Sequence, residues 1–234
     1  MFCGAKHENF LYLLKTDQNG FLAARRQHGG IIMTKIKLCG LFRPCDIETA
    51  NRLMPEFIGF VFAPRSRRYV SPETAAGLKE KLDGSINAVG VFVDERAENI
   101  SDLLENGTID MAQLHGGEDE EYIDRLRKLT DKLIIKAFAV RTDIDIEKAN
   151  KCGADYVLLD SGAGTGTVFD WRLIENIERP FFLAGGLDPD NVCEAIKALN
   201  PYAVDVSSGI ETDCLKDKNK MAAFVAAVRK EESI

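Results

Sequence analysis

The strongest constraint on this chain is a regular alternation of two sequence patterns that begins at Thr34. Short runs of β-branched, aromatic and other apolar residues are typical of buried strands, and the stretches between them have the apolar periodicity of amphipathic helices. The predicted strands are Lys35–Cys39, Phe57–Phe62, Ala88–Val93, Met111–His115, Leu133–Phe138, Tyr156–Asp160, Phe181–Ala184 and Ala203–Ser207. The predicted helices are Asp46–Met54, Pro72–Leu82, Ala97–Glu105, Glu118–Leu129, Ile144–Cys152, Asp170–Ile177, Asn191–Leu199 and Lys218–Lys230.

Strands that alternate with helices have to run parallel, and a parallel sheet needs both of its faces covered. Eight such units can close into a (β/α)8 barrel, whereas fewer can form an open doubly wound sheet. The count of eight favours closure, and so does the lack of a glycine-rich dinucleotide motif after the first strand. We therefore predict an α/β fold with a single (β/α)8 barrel, preceded by an N-terminal extension.

Residues 1–33 do not continue the alternation. Their apolar cluster, Phe10–Leu14, is too short for the core of a signal peptide, and no small-residue cleavage site follows it. We expect an accessory helix or a poorly ordered extension over residues 1–33, and the catalytic barrel over residues 34–234. Met33 directly precedes the first strand pattern and is a plausible alternative start of the protein.

The charge balance and the cysteines exclude several classes of protein. With 30 basic and 37 acidic residues the net charge is −7, which argues against nucleic-acid binding because phosphate neutralisation needs a basic surface. No apolar run approaches the roughly 18 residues that a membrane span needs. Six cysteines with irregular spacing and no CxxC pair are typical of reduced thiols, not of disulfides or a zinc site. We expect a cytoplasmic protein with a small-molecule partner and neither nucleic-acid nor membrane partners.

Two reactive side chains stand at predicted strand ends, where a (β/α)8 barrel carries its catalytic groups. Cys39 ends the first strand and Asp160 the sixth. Each has an ordinary alternative, because cysteine is often a small buried residue and aspartate often caps a turn or a helix. Lys37 shares the strand face of Cys39, where its ammonium would favour the thiolate, and apolar surroundings would raise the pKa of Asp160. A base and an acid on opposite sides of the barrel mouth suit an isomerisation.

Glycines and serines follow the last two predicted strands. They are Gly185-Gly186 after the seventh strand and Ser207-Ser208-Gly209 after the eighth. Glycine after a strand is a weak signal by itself, since turns use it widely. In this fold, however, the loops after strands seven and eight commonly bind phosphate through backbone N–H groups. The sequence therefore predicts a phosphorylated substrate.

Basic side chains follow two further strands. Arg65, Arg67 and Arg68 form either a solvated loop or a site for a substrate carboxylate, which arginine can bind with two parallel hydrogen bonds. His115 is interpreted as either a substrate contact or a wall of the cavity. A metal site with several histidines is not expected at the barrel mouth, because the only others, at positions 7 and 28, belong to the extension.

Together these motifs resemble the phosphoribosylanthranilate isomerase family of tryptophan biosynthesis. The resemblance extends over most of Lys35–Lys230, and its many matches in the same order are far more specific than any single motif. The matching segments are Lys37-Leu38-Cys39-Gly40-Leu41, Gly59-Phe60-Val61-Phe62, Arg65-Ser66-Arg67-Arg68-Tyr69-Val70-Ser71-Pro72, Val89-Gly90-Val91-Phe92-Val93, Gln113-Leu114-His115-Gly116, Leu158-Leu159-Asp160, Gly164-Thr165-Gly166, Phe169-Asp170-Trp171, Ala184-Gly185-Gly186-Leu187 and Ala203–Gly209.

The resemblance implies a cofactor-free Amadori rearrangement of N-(5-phosphoribosyl)anthranilate to 1-(2-carboxyphenylamino)-1-deoxyribulose 5-phosphate. It implies that Asp160 is the general acid that protonates the sugar ring oxygen, and that Cys39 is the general base that takes the proton from sugar C2. The implied binding groups are Arg68 for the anthranilate carboxylate, Gly185, Gly186, Ser207, Ser208 and Gly209 for the phosphate, and Asp205 near the substrate. Monomer and homodimer are both left open.

Two features fit this resemblance less well. Arg68 near Asp160 would lower the pKa of an acid that needs a raised one, although a bound substrate carboxylate would neutralise Arg68. The resemblance implies threonine or serine where this chain has Phe42, and it implies no counterpart of residues 1–33. The alternatives are another phosphosugar barrel isomerase or epimerase, and a non-catalytic barrel that binds a phosphate ligand. A metal-dependent epimerase would need more histidines than the barrel offers.

Overall fold

The computed structural model describes residues 11–16, 22–27, 33–160, 171–174 and 176–231. The chain divides into two units, Met1–Met33 and Thr34–Ile234. In the first unit the strands Leu11–Thr16 and Leu22–Gln27 pair antiparallel. The expected accessory helix is therefore wrong for these residues. The sequence contains a pattern typical of hairpins, the dipeptide Asn-Gly at positions 19 and 20, which lies outside the described residues.

The second unit is built on eight parallel strands that close into a barrel, as the alternation predicts. Each strand pairs with its neighbours along the chain, and the last strand pairs with the first. The strands are β1 (Lys35–Cys39), β2 (Phe57–Val61), β3 (Asn87–Phe92), β4 (Met111–Leu114), β5 (Leu133–Ala139), β6 (Tyr156–Asp160), β7 (Phe181–Ala184) and β8 (Ala203–Val206).

Helices connect most of these strands. They are α1 (Pro44–Leu53), α2 (Pro72–Lys79), α3 (Ala97–Glu105), α4 (Glu120–Arg127), α5 (Asp143–Lys151), α6 (Val192–Leu199) and α7 (Lys218–Glu231). Helix α2 begins as its sequence predicts, with Ser71 accepting a hydrogen bond from the Thr74 backbone N–H and Pro72 in the first turn. Among the helices of the described ranges, none combines the length and apolar character that crossing a bilayer requires.

In the second unit several elements begin or end one to three residues from their predicted bounds, and two larger differences occur. The helix expected over 170–177 is a single 3-10 turn, Trp171–Ile174. After β8, a short hairpin of the strands Glu211–Thr212 and Leu215–Lys216 precedes α7, and no pattern in so short a segment predicts it.

The barrel strands bury both of their faces. Ile36 and Leu38 of β1 point outward into the apolar layer beneath the helices, whereas Lys37 and Cys39 point into the barrel. An aromatic cluster closes the interior at the amino ends of the strands, where the Tyr156 and Tyr202 rings stack at 4.9 Å. The interior is therefore open for a ligand at the carboxyl ends of the strands.

Candidate active site

A cavity of about 510 Å³ opens at the carboxyl ends of the barrel strands. Its lining contains most of the residues that the sequence singles out: Cys39, Arg68, His115, Asp160, Gly185, Gly186, Asp205, Ser207 and Ser208. Other lining residues are Val61, Ala63, Ser66, Val91, Val93, Gln113, Ala184 and Leu187. One wall is thus apolar and the opposite loops are polar, an arrangement that suits an amphipathic ligand.

Cys39 lies beside a buried ion pair. The strand register sets Asp205 of β8 opposite Lys37 of β1, and Lys37 Nζ is 3.0 Å from Asp205 Oδ2 with both side chains buried. Burial raises the pKa of the Cys39 thiol, and the Lys37 ammonium opposes this without cancelling it. The ammonium of Lys37 therefore favours the thiolate, as predicted, but desolvation of the thiolate is the larger effect, so the pKa of Cys39 is raised overall.

Asp205 has one oxygen that the ion pair does not use. Among the described residues, Asp205 Oδ1 is buried and has no hydrogen-bond partner. A buried acceptor without a partner is unfavourable, so an atom of this kind in a cavity wall is suited to receive a donor from a ligand.

Asp160 stands at the end of β6, in register with Ala184 of β7. Its carboxylate Oδ2 is 3.6 Å from the Nε2 atom of His115, and its side chain is 29% exposed. On the other side of that ring, Gln113 Nε2 is 2.8 Å from His115 Nδ1. The glycine-rich loop that follows Asp160, over 161–166, lies outside the described residues.

Only one of the three arginines after β2 reaches the cavity. Arg68 lines it, whereas Arg67 donates to the exposed Cys214 thiol at 3.0 Å and Arg65 is exposed. The Arg68 stem crosses Gly40, whose φ of +78° and missing Cβ make room for it, since a Cβ there would lie 2.5 Å from Arg68 Cδ. Gly40 thus accommodates the aliphatic stem of Arg68.

The carboxylate that faces Arg68 is that of Glu211. Arg68 Nε and Nη2 donate to its two oxygens at 2.6 and 2.8 Å, and Lys216 Nζ donates to Oε1 at 2.6 Å. Burial opposes ionisation of Glu211, but the hydrogen bonds from Arg68 and Lys216 outweigh it and lower the pKa of this carboxyl. The sequence reasoning missed Glu211 and Lys216, whose only signal was their position just after the Ser207–Gly209 loop.

The loops after β7 and β8 pack directly against each other. Gly209 approaches the first of them so closely that a Cβ would lie 2.0 Å from the Leu187 carbonyl oxygen. Lys216 Nζ, whose side chain is fully buried, donates to the Ser207 carbonyl oxygen at 2.8 Å and thereby fixes the second loop. Gly185, Gly186, Ser207 and Ser208 line the cavity, whereas Gly209 lies at the contact between the two loops and is not among the lining residues.

Phe42, where the resemblance implies a threonine or serine, packs against the apolar layer under the helices. It is not among the residues that line the cavity. Within the described ranges, His, Cys, Asp and Glu side chains do not gather in groups of three or more as they would around a metal ion.

Comparison with protein families gives a consistent match. The family model described as N-(5'phosphoribosyl)anthranilate (PRA) isomerase matches residues 36–227. Among curated proteins, the N-(5'-phosphoribosyl)anthranilate isomerase of Endomicrobium trichonymphae is 46% identical over 202 residues, which are 84% of this chain and 99% of the relative.

Solved structures agree with the sequence matches. The phosphoribosyl anthranilate isomerase of Thermotoga maritima superposes with a TM-score of 0.76 at 35% identity, over 85% of this chain and 100% of the other. A phosphoribosyl anthranilate isomerase in complex with reduced 1-(o-carboxyphenylamino)-1-deoxyribulose 5-phosphate superposes with a TM-score of 0.75 at 35% identity and the same coverage.

Proposed function

The chain belongs to the N-(5'-phosphoribosyl)anthranilate isomerase family, and from this membership we propose that Cys39 and Asp160 carry the proton transfers of its reaction. The protein is an isomerase of tryptophan biosynthesis that performs the Amadori rearrangement of N-(5'-phosphoribosyl)anthranilate. The observation that supports the two roles is that a thiol on β1 and a carboxyl group on β6 line one cavity.

Asp160 is the proposed general acid. Its carboxyl group donates a proton to the ribose ring oxygen, the bond between that oxygen and sugar C1 breaks, and the lone pair of the anilino nitrogen forms a C=N double bond. The ring opens to a protonated Schiff base, and the carboxylate that remains faces His115.

Cys39 is the proposed general base. Its thiolate takes the proton from sugar C2, and the electrons of that C–H bond form a C1=C2 double bond while the C=N pair returns to nitrogen. The resulting enolamine becomes the ketone when C1 gains a proton and the C2 hydroxyl loses one. A proton passing from the thiol back to the carboxylate restores both groups, so the net reaction is an isomerisation.

Arg68 is the proposed partner of the anthranilate carboxylate. Glu211 occupies the Nε and Nη2 atoms of the guanidinium, which leaves the Nη1 edge for the substrate. Since Glu211 already neutralises much of the Arg68 charge, it also relieves the expected conflict between Arg68 and a protonated Asp160.

The proposed phosphate site is the edge formed by the loops after β7 and β8. Its backbone groups belong to Gly185, Gly186, Ser207, Ser208 and Gly209. Backbone N–H groups in such loops bind phosphate in many barrels of this fold. His115 and the unpartnered Oδ1 of Asp205 are the proposed contacts for the sugar portion between phosphate and carboxylate.

The two catalytic roles are tested by consumption of fluorescent phosphoribosylanthranilate generated in the assay. Cys39→Ala and Asp160→Asn should each lower kcat at least about 100-fold, the usual contribution of one acid or base. Matched controls are Cys152→Ala, a buried thiol at the end of α5, and Asp102→Asn on the exposed face of α3. Near-wild-type kcat in either catalytic variant would show that its role is misassigned.

We also propose a cytoplasmic location, because the described cysteines at 39, 45, 152, 193 and 214 are all free thiols, which persist in a reducing compartment. Cell fractionation tests it, and recovery outside the cytoplasm would contradict it. We further propose that the enzyme is either a monomer or a homodimer, and light scattering distinguishes these two states.

A further inference from the structure

Gln113 and His115 form a side-chain pair at the end of β4. They are two residues apart, so both side chains point to the same side of the strand, toward the cavity. Gln113 Nε2 is 2.8 Å from His115 Nδ1, and the opposite ring nitrogen, Nε2, is 3.6 Å from Asp160 Oδ2. The imidazole therefore bridges a buried amide and the carboxyl group proposed as the acid.

The amide determines where the imidazole carries its hydrogen. An amide nitrogen can only donate, so His115 Nδ1 has to accept, and the hydrogen of the neutral ring then lies on Nε2. In that tautomer the ring presents an N–H to Asp160. In the other tautomer it would present a lone pair, which repels a carboxylate.

Gln113 is an unusual residue for a purely structural position. Its side chain is buried, and among the described residues its Oε1 atom has no hydrogen-bond partner. A buried unpartnered acceptor is unfavourable, so an apolar side chain of the same size would serve packing alone better. The contact with His115 is thus what this amide provides.

The backbone that carries His115 is held from both sides. Its N–H donates to the Phe92 carbonyl oxygen at 2.8 Å, and the following loop is fixed by Glu118, which accepts from the Gly116 N–H and from Lys136 Nζ, each at 2.8 Å. The ring therefore has a defined position between Gln113 and Asp160.

We propose that Gln113 is a positioning residue that fixes the Nε2–H tautomer of His115, so that this hydrogen stabilises the Asp160 carboxylate formed when the acid gives up its proton. The inference rests on the proposed role of Asp160. It predicts that Gln113 acts on kcat and much less on KM, because the interaction strengthens only as negative charge develops on Asp160.

The tautomer can be read directly by ¹⁵N NMR of the full chain. The chain has three histidines, so a His7→Gln/His28→Gln background leaves the His115 ring as the single imidazole signal. At a pH of about 8, where a free imidazole is neutral, we expect the hydrogen on Nε2. In Gln113→Met the two nitrogen signals should move toward each other, and in Gln113→Glu, which can only accept, the hydrogen should move to Nδ1.

Steady-state kinetics of the same variants complete the test. Gln113→Met should lower kcat about tenfold and change KM by less than about twofold. The control is Ser101→Ala, which removes a partly buried hydrogen bond to the Leu129 carbonyl oxygen on the helix side of the barrel. It should change neither the NMR signals nor kcat. If Gln113→Met does not fold, Gln113→Glu is used for both the NMR and the kinetic measurements.

Two results would overturn the inference: a hydrogen on Nδ1 in the unsubstituted chain, or an altered tautomer in a variant whose kcat is unchanged. If Asp160→Asn kept full activity, the proposed acid would be wrong, whereas the NMR result would still report the tautomer.

Discussion

At the scale of single residues, the cavity places a thiol among buried charges of both signs. Lys37 and Lys216 favour the Cys39 thiolate, whereas burial and the Asp205 carboxylate disfavour it, and the sum is a raised pKa. Burial also lowers the pKa of Lys216 despite its pairing with Glu211. The thiol therefore has to lose its proton before Cys39 can act as the proposed base, and the ammonium groups of Lys37 and Lys216 are what favour that ionisation.

The raised thiol pKa predicts slow alkylation of Cys39. At neutral pH iodoacetamide should modify Cys39 more slowly than the exposed Cys45 and Cys214, and its rate should keep rising with pH into the alkaline range. Lys37→Met should move the Cys39 profile to still higher pH, because it removes an ammonium and leaves Asp205 unpaired. Mass spectrometry after partial alkylation measures each cysteine separately.

The control for this prediction is Lys35→Met. Lys35 lies on the same strand face, but its Nζ donates to the Tyr202 hydroxyl at the far end of the barrel. A double variant, Lys37→Met/Asp205→Asn, avoids the unpaired carboxylate and should shift the Cys39 profile less, in the same direction. An unchanged profile in both Lys37 variants would exclude an effect of this ammonium on the thiol.

Glu211 predicts a loss of stability with a defined pH dependence. Glu211→Ala leaves Arg68 and the buried Lys216 without their carboxylate, which should lower the free energy of unfolding by about 3 kcal/mol and Tm by roughly 6 to 12 °C. The Glu211 pKa is lower in the fold than the unfolded value of 4.5, so its contribution is complete above that value and is lost as pH falls through the lowered pKa.

Calorimetry of the unsubstituted protein and of Glu211→Ala between neutral and acidic pH measures the contribution of Glu211 to stability. Glu98→Ala is the matched control, because the Arg96–Glu98 pair is exposed and should contribute at most about 1 kcal/mol. Two results would contradict a structural role for the buried group of Arg68, Glu211 and Lys216. One is an equal loss of unfolding free energy in Glu211→Ala and Glu98→Ala. The other is a difference in unfolding free energy between Glu211→Ala and the unsubstituted protein that does not decrease below pH 4.5.

At the scale of elements, the local sequence pattern was sufficient to predict the bounds of a strand that is buried on both faces. Tyr156–Asp160 and Phe181–Ala184 have the predicted bounds because their apolar runs end sharply at a charged residue and at a glycine pair. The hairpin after β8 was not predictable, since its strands are two residues each and its turn carries Asp213 and Cys214 at positive φ, without the glycine that usually marks such a turn.

The residues of the candidate site likewise divide into those that the sequence pattern could predict and those that it could not. Cys39 and Asp160 were found because strand ends in this fold are a known place to look. Glu211 was not, because its importance comes from Arg68, 143 residues earlier, and no local pattern encodes that contact. Gln113 was missed because only residues at the strand ends were considered, although its spacing of two residues from His115 on a predicted barrel strand was a usable signal.

The close packing of the loops after β7 and β8 predicts that Gly209 tolerates no side chain. In Gly209→Ala the new Cβ would meet the Leu187 carbonyl oxygen, so one loop has to shift. We expect kcat/KM to fall at least about tenfold, mainly through a higher KM, because the shift would disturb the backbone N–H groups of the proposed phosphate site. Inhibition by inorganic phosphate should weaken in parallel.

Gly77→Ala is the matched control for this substitution. A Cβ at Gly77 on α2 meets nothing within 4 Å, and alanine favours a helix interior over glycine by about 1 kcal/mol. Gly77→Ala should leave KM unchanged and raise Tm slightly. An unaltered KM in Gly209→Ala would show that the paired loops do not bind the phosphate.

At the scale of the whole molecule, the barrel corresponds to the complete length of its relatives. The 84% of this chain that matches the Endomicrobium trichonymphae protein covers 99% of that protein, and the family model begins at residue 36. Every strand pair that closes the barrel lies between Lys35 and Val206. We infer that the barrel does not need the N-terminal unit for closure.

Removal of residues 1–32, with Met33 as the first residue, should therefore leave the enzyme active. We expect kcat/KM within about twofold of the full chain and a closely similar Tm, because the lining of the cavity begins at Cys39 and the strand pairs of the barrel stay intact. The contrasting truncation begins at Leu41 and removes β1, which pairs with both β8 and β2. That protein should fail to fold, because opening the barrel exposes two strand edges and the apolar interior. If the protein that begins at Met33 also lost its activity or its cooperative unfolding, the N-terminal unit would be required for the working enzyme. Thr34–Ile234 would then not be a self-sufficient barrel.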